Sequence, residues 1–276
     1  MRLLEALGLR SAIFPCFFCH FVTALVTVLW TLSGATSLAS EDSCTLRIAW
    51  NSYPPYMIDR GEGREPEGVE PVILKHILEP VGCRLAFVEL PVKRAFRALE
   101  NGTVDIIPIA SFVPERERYG LFSLPYRDEE ARLYGRPETI EAHLGYSFEE
   151  LMERPLTIGA VNGGWYGKAI EELERRQYED PAVLMRLHRV PDHDTLHGTV
   201  LGGRLDMMVS DRLWWVWNRQ IRGNQDRLVD LGVLLHRDAV HMMLSRTLSK
   251  DLVAAVNRSI ACFREQPETH LRCFSE

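Results

Sequence analysis

Two histidines, His193 and His197, stand four residues apart on a predicted helix, with His188, Asp192 and Asp194 nearby. On a helix this spacing can bring two imidazoles to one face, where they could bind a metal ion. Asp192 is also a good N-cap for the same helix, and the favoured interpretation is a capped helix whose histidines are exposed. We therefore predict no metal site and no cofactor.

The loop Asn162-Gly163-Gly164-Trp165 follows a predicted strand and precedes a predicted helix. The backbone N–H groups of such a loop can bind an anionic group at the helix N-terminus. Signatures of common enzymes, namely Gly-x-Ser-x-Gly, a P-loop and His-Glu-x-x-His, do not occur in the sequence. Glu70 and Lys168 are candidate acids for catalysis, but no motif marks either residue.

Composition places the chain among ordinary folded proteins. Its 276 residues are 46% hydrophobic and 25% charged, enough for one or two domains with cores and unlike a disordered tail or a disulfide-rich miniprotein. The formal net charge is -6, with no basic patch, so we expect no nucleic-acid partner.

The elements that must position these residues form an alternating pattern of short apolar runs and helical repeats. Such alternation predicts an α/β fold with parallel sheets covered by helices, and the scheme occurs twice in the chain. A polar connection, Tyr126 to Pro137, separates the two units. The predicted strands are Thr45–Trp50, Arg84–Leu90, Asp105–Ile109, Leu156–Val161, Met185–Arg189, Asp206–Val209 and Ala239–Ser245. The predicted helices are Val69–Val81, Val92–Asn101, Gly167–Arg176, His193–Gly202, Leu213–Arg219 and Lys250–Glu265.

The N-terminus is typical of a secretory signal. Arg2 and Arg10 precede an almost uncharged stretch, and Ser37-Leu38-Ala39 fits the small-residue rule for cleavage, so residues 1–39 are predicted to be a signal peptide. The alternative is a membrane anchor, because about 20 apolar residues can span a bilayer. Either interpretation predicts an exported protein.

Four cysteines remain after the predicted signal, and four allow three pairings. Cys44 and Cys83 each precede a predicted strand, and neighbouring parallel strands would bring them together. Cys262 and Cys273 would then close a short loop at the C-terminus. Two disulfides suit an exported protein; buried free thiols are the alternative.

Five groups of residues, in order along the chain, resemble the bacterial periplasmic solute-binding proteins of family 3, the amino-acid-binding type. The resemblance covers nearly the whole chain beyond the predicted signal. The groups are Trp50 to Tyr56 with Gly68-Val69; Pro91-Val92-Lys93-Arg94-Ala95; Asn101-Gly102-Thr103-Val104-Asp105; Pro114-Glu115-Arg116 with Phe122 to Tyr126; and Gly203-Arg204-Leu205-Asp206 with Asp211.

The resemblance implies a type II periplasmic binding protein fold: two α/β lobes joined by a two-strand hinge, with the ligand between them. We expect the first lobe at residues 44–130 plus 237–276 and the second at 137–232, with the hinge near 126–137 and 232–240. The resemblance also implies a periplasmic location, and we expect a monomer.

The resemblance also implies roles for individual residues. Arg116 stands where relatives bind a ligand carboxylate and Asp211 where they bind the ammonium; the alternatives are a solvated Arg and a helix N-cap. Ser111 is a candidate hydroxyl or a helix N-cap, and Arg94 faces the cleft or the surface. Aromatic walls would come from Tyr53, Tyr56, Trp50, Phe112 and Trp165, with core packing as the alternative for each.

Two departures from the family pattern weaken the case for an ordinary amino acid as ligand. Gly164 and Trp165 occupy a position where relatives often have a Thr or Ser hydroxyl, and Val113 replaces the usual Thr. The family implies a protein that closes on a small polar ligand, an amino acid or related carboxylate, and delivers it to a membrane permease of the ABC type. The alternatives are a sensor acting through a partner and a lyase similar to cyclohexadienyl dehydratases.

Overall fold

A computed structural model describes residues 44–61, 63–180, 186–221, 223 and 228–265 of the chain. The predicted signal over residues 1–39, the start of a strand at Met185, and Cys273 lie outside the described residues. Predictions that depend on them stay predictions.

The first lobe is a parallel sheet whose strands alternate with helices. Its elements are β1 (Thr45–Trp50), α1 (Val69–Leu78), a 3-10 turn (Glu79–Val81), β2 (Arg84–Glu89), α2 (Val92–Glu100), β3 (Ile106–Ser111) and a 3-10 turn (Pro114–Arg116). Strand β1 pairs in parallel with β2 along its whole length and with β3 on its other side. Because β1 lies between two strands, its side chains are mostly buried, as its apolar sequence predicts.

A disulfide joins Cys44 to Cys83, with Cα atoms 4.5 Å apart. Each cysteine immediately precedes its strand, and Thr45 lies opposite Arg84 in the β1–β2 pair. Parallel pairing therefore places both cysteines at the same edge of the sheet. This confirms the first predicted pairing; the pairing of Cys262 with Cys273 stays a prediction.

The second lobe repeats the scheme with a sheet of its own strands. Its elements are α3 (Pro137–Ile140), a 3-10 turn (Glu141–His143), α4 (Phe148–Met152), β5 (Ile158–Val161), α5 (Lys168–Glu179), β6 (Leu187–Val190), α6 (His193–Leu201), β7 (Met207–Asp211) and α7 (Arg212–Ile221). Strand β5 pairs in parallel with β6 on one side and with β7 on the other.

Two long antiparallel strands, β4 (Leu121–Gly135) and β8 (Val229–Leu244), connect the lobes. One end of β8 pairs with β3 in the first lobe, and one end of β4 pairs with β7 in the second. The described strands therefore form one sheet in the order β2-β1-β3-β8-β4-β7-β5-β6. This confirms the predicted fold class, while the residue boundaries proposed for each lobe stay predictions.

Each lobe has its own apolar core. In the first lobe, Ile48 of β1 and Leu74 of α1 pack with Ile260 of the last described helix, α8 (Lys250–Glu265). In the second lobe, Ile158 of β5 packs with Met207 of β7. The C-terminal helix thus returns to the first lobe, as predicted.

Candidate functional site

A cavity of about 130 Å³ lies between the lobes, at the carboxyl ends of β1, β3 and β5. Ligands of open α/β sheets bind at this edge. The wall is mostly apolar and aromatic. Among the described residues that line it, Arg116 is the single Arg or Lys, and none is Asp or Glu. The lining includes Trp50, Tyr53, Phe96, Ser111 and Arg116 from the first lobe and Gly163, Gly164, Trp165, Tyr166 and His193 from the second.

Arg116 ends a 3-10 turn and reaches across the cleft between the lobes. Its Nη1 donates to the carbonyl oxygen of Ser111 at 3.2 Å, and its Nη2 donates to that of Gly163 at 2.9 Å. The guanidinium lies 5.1 Å from the centroid of the Phe96 ring. None of the ion pairs among the described residues involves Arg116, and burial lowers the pKa of its guanidinium to about 10, which leaves it charged at neutral pH.

The loop after β5 approaches the first lobe so closely that it requires glycine. Gly163 has a φ of 81°, and a Cβ there would lie 2.9 Å from Cγ1 of Val92 in α2. Arg189 fixes the position of this loop, because its Nη1 donates to the carbonyl oxygens of Val161 and Gly164, each at 3.0 Å. The Gly163 carbonyl thus stays directed at Arg116.

Tyr53 and His193 form a flat stack across the lobe boundary, with ring centroids 3.7 Å apart. His193 is only 6% exposed, and its Nδ1 has no partner among the described residues. Asp192 caps the helix as predicted, accepting from the backbone of Thr195 at 2.7 Å. The expectation of exposed histidines is wrong, because Tyr53 covers His193 while Trp214 packs edge-on against His197.

Tyr56 and Asp211 meet outside the cavity. The Tyr56 hydroxyl donates to Oδ1 of Asp211 at 2.5 Å. Asp211 also accepts from the backbone N–H of Leu213 at 2.7 Å, in the first turn of α7, and from that of Glu130 at 3.1 Å. The contact with Leu213 is the one expected of the N-cap alternative.

A buried ionic cluster occupies the place where β4 leaves the first lobe. Glu70 of α1 is fully buried and accepts hydrogen bonds from the Tyr126 hydroxyl and from Nε of Arg127. Arg127 also pairs with Glu129, which accepts a hydrogen bond from the Tyr53 hydroxyl at 3.1 Å. Burial raises the pKa of Glu129 to about 7, although the Arg127 charge opposes the shift.

The residues named by sequence reasoning divide into two sets by position. Six line the cavity: Trp50, Tyr53, Ser111, Arg116, Gly164 and Trp165. Four do not: Tyr56 and Asp211 bond to each other, while Phe112 and Arg94 are exposed. Their roles toward a ligand stay predictions. Glu70, bound within the ionic cluster, and Lys168, exposed on α5, also lie outside the lining.

Sequence reasoning missed four residues that shape the site: Phe96, Tyr166, His193 as a stacking partner, and Glu129. Two of them had a usable signal. Phe96 directly follows the Pro91-to-Ala95 motif in α2, and Tyr166 directly follows the Asn162-to-Trp165 loop. The other two depend on contacts with Tyr53, far away in the sequence.

Within the described residues, no helix has the length and apolar character needed to cross a bilayer. No curated protein sequence matches the chain. The model of the family described as bacterial extracellular solute-binding proteins, family 3, matches residues 46–270.

Solved structures of two binding proteins and of a sensor domain share the fold at low sequence identity. An amino-acid ABC transporter substrate-binding protein of Streptococcus pneumoniae bound to L-arginine is 17% identical, with a TM-score of 0.63 over 84% of this chain and 96% of its own. A histidine kinase sensor domain with similarity to periplasmic binding proteins is 19% identical, with a TM-score of 0.66 over 85% and 96%. An ancestral amino-acid-binding protein, a precursor of cyclohexadienyl dehydratase, is 19% identical, with a TM-score of 0.64 over 84% and 93%.

The family match covers most of the chain, including every described residue that lines the cavity. The family and the amino-acid-binding neighbours are binding proteins rather than enzymes, which confirms the expectation of a ligand-binding protein over the lyase alternative. With its two-lobe fold and cleft, the chain belongs to the bacterial extracellular solute-binding proteins, family 3.

Proposed function

We propose that this protein is an exported, periplasmic solute-binding protein that closes on an amino acid or related carboxylate and delivers it to an ABC-type permease. One observation carries the proposal. Arg116, an unpaired and half-buried cation among the described residues, bonds to both lobes at the wall of the cavity. A carboxylate bound there would contact both lobes only when they are closed.

The mechanism is a shift between open and closed populations. A ligand favours closure only to the extent that it binds the closed state more tightly than the open one. Arg116, the Gly163 carbonyl and the Tyr53–His193 stack all join the lobes, so each contributes contacts that an open cleft would lack. The permease would then bind the closed form.

A sensor that acts through a partner is the second candidate, favoured by the shared fold of a histidine kinase sensor domain. The two roles share the same binding step and differ in the partner. Co-purification of the ligand-loaded protein with membranes of its source would separate them: a permease in the bound fraction supports transport, and a kinase supports sensing.

A thermal-shift screen of the purified, oxidised protein tests the binding step. The ligands are amino acids, polyamines, small carboxylates, sugars and divalent metals. A ligand at a hundredfold excess over Kd stabilises the native state by about 2.7 kcal/mol, which raises the melting temperature measurably. Stabilisation by an amino acid or carboxylate that is lost in Arg116→Ala supports the proposal. If no amino acid or carboxylate stabilises the protein, the proposal is contradicted.

A further inference from the structure

The polar groups of the cavity are suited to an anion. Arg116 provides a guanidinium with five N–H donors, of which the carbonyl groups of Ser111 and Gly163 use two. His193 is buried at the same wall, with Nδ1 unpartnered among the described residues. Burial lowers the pKa of His193 to about 3, so its ring is neutral at neutral pH. No carboxylate from the described residues lines the cavity to balance the Arg116 charge.

Two acids that could have met an ammonium group, the buried Asp211 and the partly buried Glu129, lie behind tyrosines. The Tyr56 hydroxyl donates to Asp211, and the Tyr53 hydroxyl donates to Glu129. Asp211 accepts two backbone N–H groups as well, so three donors already surround it. Tyr56 is itself fixed, because the Arg127 guanidinium packs 4.3 Å from the centroid of its ring.

Desolvation makes this arrangement unfavourable for a zwitterion. Moving an ammonium group out of water without an anionic partner costs several kcal/mol of solvation free energy. Glu129 would be a weak partner, since it would first have to give up its hydrogen bond from Tyr53 and it is already paired with Arg127. A ligand with a carboxylate and no ammonium avoids this cost.

The apolar part of the cavity wall indicates the chemistry of the ligand beyond its carboxylate. Trp50, Phe96, Tyr166 and the aliphatic Leu90 and Val92 present apolar surface around Arg116. We propose that the ligand of this cavity is a small carboxylic acid with an apolar body and no α-ammonium group, its carboxylate on Arg116 and its body against these side chains. This inference rests on the proposed function, and narrows its ligand class.

Matched ligand pairs that differ only in the ammonium group test the inference. The pairs are 4-methylpentanoate with L-leucine, hexanoate with L-norleucine, and 3-phenylpropanoate with L-phenylalanine. Kd is measured by isothermal titration for the wild-type protein, Arg116→Ala and Arg97→Ala. Arg97 is a matched control because it is an exposed Arg of α2 outside the cavity lining.

We expect at least one deamino acid to bind at least tenfold more tightly than its amino acid, with binding lost in Arg116→Ala and retained in Arg97→Ala. Equal or tighter binding of the amino acids would overturn the inference and leave the proposed function supported. If no pair binds while another amino acid or carboxylate of the wider screen does, the inference alone fails. If no amino acid or carboxylate binds in either experiment, both fail.

Discussion

Replacing Arg116 by Ala removes the one Arg or Lys among the described residues that line the cavity. Two of its N–H groups bond to the carbonyl oxygens of Ser111 and Gly163, which leaves three for a ligand. A bidentate carboxylate would form two charge-assisted hydrogen bonds, each contributing about 1.5 to 3 kcal/mol. At the lower end the loss is about 3 kcal/mol, so Arg116→Ala should weaken binding about 100-fold or more.

Arg116→Lys refines this test, because it keeps the charge and loses the planar fork. We expect its affinity to lie between those of the wild type and Arg116→Ala. The assay is isothermal titration with the carboxylate that the thermal-shift screen identifies, and the melting temperature of each free variant serves as the folding control. An Arg116→Ala protein that is folded and binds with unchanged Kd would refute the assignment of Arg116 to the carboxylate.

Three further predictions concern the loop, the disulfide and the ionic cluster. Gly163→Ala should lower the free energy of unfolding by about 1 to 2 kcal/mol because of the positive φ. It should also weaken binding, because the new Cβ would lie 2.9 Å from Val92 on the other lobe; calorimetry that shows unchanged affinity would contradict the close approach. The double variant Cys44→Ser/Cys83→Ser removes a cross-link over 39 residues and should lower the free energy of unfolding by about 3 to 4 kcal/mol. Its ligand affinity should be retained, and equal denaturation midpoints for the variant and wild type would count against the bond. Burial raises the pKa of Glu129 from its ordinary 4.5 to about 7. The folded protein therefore keeps a proton that the unfolded chain releases, and wild-type stability should fall from about pH 5 to pH 7 by at most about 1.4 kcal/mol per pH unit. Denaturation of Glu129→Gln should lack this component of the slope, so parallel pH profiles would disprove it.

Much of the fold follows from local patterns in the sequence. The apolar run of β1 and the alternation of strands with helices are properties of neighbouring residues, and β1 begins and ends where predicted. The extents of β4 and β8 were harder to predict. The segment Arg127–Glu130 is charged, so the sequence predicts a polar connection there. It is a strand instead, because its backbone pairs with β8 on one side.

The site was predictable only where the family pattern applies to single residues. Arg116 could be singled out in this way, but its bond to Gly163 joins residues 47 positions apart and depends on how the lobes meet. His193 shows the same limit. Its capping neighbour was predictable because the contact is local, whereas its burial depends on Tyr53, which lies in the other lobe.

The central claim is that a ligand closes the two lobes over the cavity. Spin labels at Arg97→Cys in α2 and Tyr178→Cys in α5, both exposed positions on opposite lobes, report the distance between the lobes by double electron–electron resonance. The account predicts a broad distribution without ligand and a single, shorter distance at saturating ligand, with no such change in Arg116→Ala. An identical distribution with and without bound ligand would contradict closure as the binding mechanism.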